Sequence, residues 1–442
     1  MNQILPTVPA TAVAAVAKPT MGLLSVTSLG IGAMVGAGIF ALLGQAAVIA
    51  GSQTYTAFLL GGLVAALSGY SYAQLAIRYP DAGGVATYFD EAFGGRRLSG
   101  TLSLVYLITM AFTVALVAKA FGAYAAPLIT GGSDPIWIDI FASGLIVVMT
   151  LLNFIGAGLV GKAEIVLVGV KLVILTGLMI AGAVGMMGKP AVVHAHPGMT
   201  GVVGCVGLTF LAYAGYSVMA NAAGSVAKPK RTIPAAIYLA IGAVIILYTG
   251  LAVVVLASVT PEQLATNSNV AVAEAARPVF GNAGYVIVSI GALLATASGV
   301  NAWIFSALKM SSEEARESQL PRMFRKVLWR KGTEGLLALV VAVLLLTNIF
   351  DLSALASIAG ITFLITYLAV HVANWLLIEE TKSNRWLVGA GFVSMAVVLV
   401  CLLWTTIAQQ PWMAAVITAV VVVSFGVECF LMRKLPFATQ SA

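Results

Sequence analysis

Two glycine-interrupted apolar runs offer the most chemistry. One reads Gly30-Ile31-Gly32-Ala33-Met34-Val35-Gly36-Ala37-Gly38-Ile39-Phe40, the other Phe210-Leu211-Ala212-Tyr213-Ala214-Gly215-Tyr216-Ser217. A helix broken inside a bilayer frees backbone groups that hydrocarbon cannot satisfy, so a break survives only where it lines a cavity. A break at 34–38 would present the N–H groups of Gly36, Ala37 and Gly38 at the start of an outer half-helix, where the dipole favours a carboxylate. Carbonyls near Ile31 and Gly32, at the end of the inner half-helix, would accept an ammonium. A second break at 212–216 would add carbonyls for the ammonium and set Tyr213 and Tyr216 near a bound side chain. Met34, Val35, Phe210, Ala212 and Ala214 complete the candidate lining. Two such poles suit a zwitterionic amino acid. Packing glycines of the small-xxx-small kind are the alternative, but two breaks five spans apart point instead to an inverted-repeat architecture with a midplane site.

Lys171 is the most informative single residue. It lies about eleven residues into its apolar run, roughly 16 Å at 1.5 Å per residue, near the bilayer midplane. A lysine stem cannot snorkel that far, and burial at this depth costs about 2.5–3.5 kcal/mol. Its ammonium must meet carbonyls and hydroxyls or give up its proton, which makes Lys171 the candidate proton-coupling residue. The alternative is a lysine that pins a neighbouring helix without titrating. Lys119 sits about ten residues from the end of the third run, within reach of partial snorkelling. His371, in the tenth run, could shuttle protons or simply pack. No Asp or Glu occurs in the first, third, sixth or eighth run. A second positive charge on a substrate would find no partner there, which disfavours polyamines and cationic amino acids. Cys205, Cys401 and Cys429 are far apart, so no metal site or disulfide framework is expected. No cofactor and no catalytic constellation is expected either.

The elements that must position these residues are membrane helices. Sixty per cent of the chain is hydrophobic, 9% is charged, and the mean hydropathy is +1.02, whereas soluble domains carry roughly a quarter charged residues. Twelve runs can each span a core of about 30 Å: 22–50, 54–78, 98–130, 136–156, 160–187, 200–226, 233–258, 282–310, 334–350, 353–378, 386–407 and 411–432. With the N-terminus inside, 19 of the 23 Lys and Arg fall at the cytoplasmic face, as the positive-inside rule demands. Lys189 and Arg277 fall outside, and Lys119 and Lys171 fall within helices. The net charge of +7 is therefore explained by loops, not by nucleic acid. Residues 1–19 and 433–442 are expected as cytoplasmic tails flanking one membrane domain over 20–432. Tyr79-Pro80-Asp81-Ala82-Gly83-Gly84, followed by Tyr88, reads as a turn feeding a short interfacial helix. Pro229-Lys230-Arg231-Thr232-Ile233-Pro234 reads as a basic turn, and Ser311 to Lys331 as a solvated loop.

Taken together, the GAMVGAGIF break, the PDAGG loop with Tyr88, the YAGYS break and the KPKRTIP turn resemble the amino acid–polyamine–organocation superfamily over roughly residues 20–432. The segments Gly161-Lys162-Ala163-Glu164, Val168-Gly169-Val170-Lys171-Leu172, Ala118-Lys119-Ala120-Phe121 and Val288-Ser289-Ile290-Gly291-Ala292-Leu293 are similar to its sodium-independent, proton-coupled permeases. The resemblance implies an all-α LeuT-type five-plus-five inverted repeat with the first and sixth helices interrupted. Its repeats would cover about 20–187 and 200–378, with two extra helices at about 386–432. It also implies that the Lys171 ammonium takes the place of a sodium ion near the Gly32 carbonyl and Ser298. The chain departs from the family where Gly224 and Ser225 replace an acidic pair, Lys228 replaces Asn and Ala235 replaces Arg, which removes ionic contacts of the inner gate. The expectation is a multi-pass transporter of a bacterial or archaeal inner membrane, carrying neutral amino acids with protons by alternating access. An exchanger or a polyamine or cationic permease of the same fold is the alternative, and a non-transporting sensor or scaffold is the alternative of another class.

Overall fold

The computed structural model describes residues 21–80, 83–94, 97–155, 157–186, 192–316, 327–329 and 332–434. The apolar runs are helical because a lone helix pairs its own N–H and C=O groups where water is unavailable. In chain order the helices are α1 (Leu23–Ala37), α2 (Ile39–Ala50), α3 (Thr54–Arg78), α4 (Val85–Phe93), α5 (Arg97–Thr130) and α6 (Pro135–Ile155). Then follow α7 (Ala157–Gly185), α8 (Gly198–Tyr213), α9 (Ser217–Asn221), α10 (Pro229–Ser258), α11 (Pro261–Asn267) and α12 (Ala271–Glu274). The last six are α13 (Arg277–Arg316), α14 (Glu334–Ile349), α15 (Leu352–Leu376), α16 (Ile378–Thr381), α17 (Arg385–Gln409) and α18 (Trp412–Lys434).

Among the described residues, ten helical stretches are long and apolar enough to cross a membrane, joined by the shorter apolar helices Leu23–Gly36 and Leu337–Ile349. Each of the twelve expected spans corresponds to helix, with α1 and α2 forming the first and α8 and α9 the sixth. The centre and the periphery of the bundle are distinguished by burial. The most apolar stretch of α5 is 83% buried and that of α8–α9 94%, against 28% for α7, α17 and α18. The peripheral helices turn a large apolar face outward, as membrane solvent permits.

Four local expectations are corrected. The first helix is interrupted at one residue only. Gly38 (φ −83°, ψ −79°) separates α1 from α2, and its own N–H donates to Met34 O at 2.7 Å. Gly36 and Ala37 stay inside α1, so the N–H groups of 36–38 do not form the predicted open break. The sixth helix tightens into a single 3₁₀ turn over Ala214–Tyr216 instead of unwinding. The basic segment after Lys228 is the first turn of α10, because Pro229 at the opening position loses an N–H that would be unpaired anyway. The described part of Ser311 to Lys331 is helix and strand, not loop; residues 317–326, 330 and 331 lie outside the described residues. Helix α13 continues to Arg316, and β1 (Val327–Trp329) pairs antiparallel with β2 (Gly332–Thr333). The short helix expected after Gly84 is α4, while Asp81, Ala82, Arg96 and the N-terminal tail lie outside the described residues.

Candidate functional site

Helix α7 shows how a lysine comes to point into an apolar bundle. Val166, Val170, Val173 and Ile180 are exposed on one face, whereas Val168, Lys171, Leu175 and Leu178 are buried on the other. That inward stripe follows the i, i+3, i+7 spacing of a helix face. Lys171 therefore shares its face with core residues and is 0% exposed. Its Nζ donates to Gly32 O of α1 at 3.2 Å and to Ser298 Oγ of α13 at 3.2 Å. One ammonium thus ties together three helices, α1, α7 and α13, nearly two turns before the interruption at Gly38.

The two interrupted spans press directly on each other. A Cβ added to Gly215 would lie 2.5 Å from Met34 N, so the 3₁₀ turn of the sixth span rests on the α1 backbone. On the far side of α1, a Cβ on Gly36 would meet Gly299 Cα at 2.5 Å and Ala295 O at 2.6 Å. Helices α1 and α13 cross at these two glycines, a spacing that any side chain would forbid. Ile31, Met34, Val35, Phe210, Ala212, Tyr213, Ala214 and Tyr216 are all buried, and the two spans that carry them touch at Gly215 and Met34. Gly38 packs directly on the Ala212 carbonyl, which a Cβ there would approach to 2.6 Å.

Several polar groups at the interruptions have protein partners. Tyr248 of α10 donates its hydroxyl to Met34 O at 2.8 Å, and the Tyr248 hydroxyl oxygen in turn accepts from the backbone N–H of Ile39. Ala214 O accepts from Tyr367 OH at 2.6 Å and from Ser217 Oγ at 3.1 Å. Tyr213 OH donates to Phe58 O at 2.9 Å, and Tyr216 packs edge-on against Tyr72 at 5.3 Å between centroids. Sequence reasoning missed Tyr248 and Tyr367 because both sit in spans distant in sequence. Their signal was a tyrosine within an otherwise apolar run, since a buried hydroxyl needs a partner.

Where α1 begins, the bundle is shut by neutral contacts. Asn221, the last residue of α9, accepts from Val85 N–H at 3.2 Å and donates to Ser306 Oγ at 2.8 Å and Tyr106 OH at 3.4 Å. Gly84, at φ +56°, lets α4 begin hard against it. Met21 N–H donates to Ser225 O at 3.1 Å and Ala227 N–H to Met21 O at 3.3 Å, a backbone bridge beside the positions where the acidic pair is absent. Nearby, Arg78 and Tyr79 OH reach the same Glu380 oxygen at 3.0 and 2.7 Å. Burial, followed by that bond, pushes the Tyr79 hydroxyl up to about 12, so it keeps its proton at physiological pH.

The remaining candidates lie apart from this site. Lys119 turns toward α6 and α14, pairing with Asp139 Oδ1 at 2.6 Å and donating to Thr347 O at 2.8 Å. His371 is buried in α15 with Nδ1 at 2.9 Å from Tyr367 O, and its Nε2 side lies against Gly391 of α17.

Among the described residues, ten uninterrupted apolar spans accompany the two interrupted ones, and the sequence that forms them has clear relatives. A family model described as amino acid permease matches residues 21–425. The chain belongs to the amino acid permease family. This permease is 44% identical to the inner membrane transport protein YbaT of Escherichia coli over 393 residues, 89% of the chain and 91% of the relative. It is 27% identical to the Asc-type amino acid transporter 1 of Mus musculus over 336 residues, 72% of the chain and 62% of that protein. It is 26% identical to the methylthioribose transporter of Bacillus subtilis over 324 residues, 70% and 69% of the two chains. The permease is thus a multi-pass membrane transporter of small molecules and not an enzyme.

Proposed function

We propose that this permease carries neutral amino acids by alternating access, driven by protons without sodium, in an inner membrane with both termini in the cytoplasm. The carboxylate binds at the start of α2, where the helix dipole is positive, and the ammonium binds near the end of α1. Tyr248 holds the ends of the two helices together until substrate replaces its hydroxyl. The basic residues Arg78, Arg97, Lys228, Lys230, Arg231, Lys382 and Arg385 sit at helix ends on the side where α1 begins, which supports the orientation. The five-plus-five repeat supplies the moving part: α1 and the sixth span shift against α5 and α13.

Neutral specificity is carried by charge. The walls formed by α1–α2, α5, α8–α9 and residues 277–310 of α13 contain no Asp or Glu, and Lys171 adds a positive charge beside them. A cationic side chain would meet repulsion and no compensating carboxylate.

Proton coupling follows from where Lys171 Nζ sits. Protonated, it binds α1 and α13 through charge-assisted bonds of roughly 1.5–3 kcal/mol each; neutral, its bonds fall to roughly 0.5–1.5. Loss of the proton therefore loosens α1 at the turn next to the substrate poles. A thermal-shift screen of detergent-purified protein against the standard amino acids and putrescine tests the specificity. Stabilisation by neutral amino acids supports it, whereas stabilisation by putrescine or arginine alone contradicts the charge argument. An inward proton gradient should then drive uptake of the selected solute into sodium-free proteoliposomes.

A further inference from the structure

A cavity lies at the end of the bundle away from Met21, apart from the contact between Gly38 and Ala212. It has a volume of about 470 Å³, within the 300–1,000 Å³ range of small-molecule sites. Its walls come from four spans: Gln45 of α2, Leu208 of α8, Asp351 at the start of α15, and Leu402 and Gln409 of α17, with Asn269 closing it from the segment before α12. Of the described lining residues Asp351 alone is ionisable. Its Oδ1 accepts the Ala354 N–H at 2.7 Å as the cap of α15, a bond that needs one oxygen and leaves the negative charge in place. Gln45, Asn269 and Gln409 add neutral amides to the same lining, and Leu208 and Leu402 add apolar surface. One negative charge, no positive one, neutral donors and acceptors, and an apolar base together describe a receptor for a cation carried on a hydrophobic stem.

We propose that this cavity is a binding site for small amphiphilic monoamines, with the ammonium at Asp351 and the apolar stem against Leu208 and Leu402. An occupant would touch α2 and α8, which belong to the interrupted spans, and at the same time α15 and α17. It would brace one pair against the other. The binding rests on the cavity alone, while the slowing of uptake it implies rests on the transport reading above.

The test uses 2-phenylethylammonium and its neutral counterpart 2-phenylethanol, which match in size and differ in charge. Binding to the purified protein is read by calorimetric titration at pH 7. The ammonium should bind at least tenfold more tightly than the alcohol. Asp351→Asn should remove that preference, and because Asn caps helices as well as Asp does, the melting temperature without ligand should hold. Gln409→Leu gives a second variant away from the cap and should also weaken the ammonium. Equal affinities for the two probes, or an Asp351→Asn protein that still prefers the ammonium, would overturn the proposal. Repeating the titration in nanodiscs of phosphatidylethanolamine and of phosphatidylglycerol identifies the source of the amine. Competition in the first alone assigns the site to a lipid headgroup, and equal binding in both assigns it to a free solute; either result sustains the site. Since the readout is binding, failure here leaves proton-driven uptake untouched, and failure of uptake leaves this result standing.

Discussion

Replacing Lys171 with alanine should leave the permease folded and abolish proton-driven uptake. Lys171 Nζ makes hydrogen bonds to Gly32 O and Ser298 Oγ, each at 3.2 Å. Bonds to a charged donor contribute roughly 1.5–3 kcal/mol each, so their loss costs about 3–6 kcal/mol in gross terms. Against this stands the cost of holding an ammonium at membrane depth, about 2.5–3.5 kcal/mol. Removing the charge relieves that cost, and Gly32 O keeps its place within α1. The net destabilisation is therefore at most a few kcal/mol, enough to lower the melting temperature without preventing folding. What disappears is any difference between a protonated and a neutral state at the α1–α7–α13 junction. In proteoliposomes the variant should bind substrate, and may be checked to do so by thermal shift, yet uptake should no longer respond to an imposed inward proton gradient. Full gradient-driven accumulation by Lys171→Ala would refute the coupling role, whatever the fate of the fold.

Three other substitutions probe the contacts around this junction. Tyr248→Phe removes one bond to Met34 O, which keeps its Gly38 partner, so a loss of about 1 kcal/mol should appear in thermal melts together with altered substrate affinity. Asn221→Ala breaks three bonds at the end where α1 begins; a cysteine at Ser28, in a background without the native cysteines, should then label faster with a membrane-impermeant thiol reagent applied from that side. Asp139→Asn strands the largely buried Lys119 ammonium and should cost up to about 3 kcal/mol, whereas the double variant Lys119→Met/Asp139→Leu should recover most of that stability and retain uptake.

The spans were legible because a membrane helix announces itself by length and apolarity. The depth of Lys171 could be counted along its run, and its inward direction follows from the buried stripe it shares with Val168, Leu175 and Leu178. The partners of Lys171 were not legible from spacing, since Gly32 and Ser298 lie 139 and 127 residues away; they came from family resemblance. The extent of the breaks was overestimated. Glycine marks where a helix can yield, but packing decides how far, and here Gly36 against Gly299 and Gly215 against Met34 keep the backbone helical up to Gly38. Intramembrane charges could have been matched more closely. Asp139 is the partner of Lys119, and Glu428 is buried in α18 where Gly100 makes room for its carboxylate; both were visible as acids within apolar runs. The neutral contacts of Asn221 were invisible because Val85, Tyr106 and Ser306 lie far from it in sequence, and the Met21 bridge because backbone bonds leave no compositional trace.

The most direct measurement is proton movement accompanying substrate. Sodium-free proteoliposomes loaded with a pH-sensitive dye, and given no initial pH difference, should acidify inside when a neutral amino acid selected by thermal shift is added outside, and Lys171→Ala vesicles should not. Uptake of that amino acid by the wild-type protein without any internal acidification would contradict proton coupling.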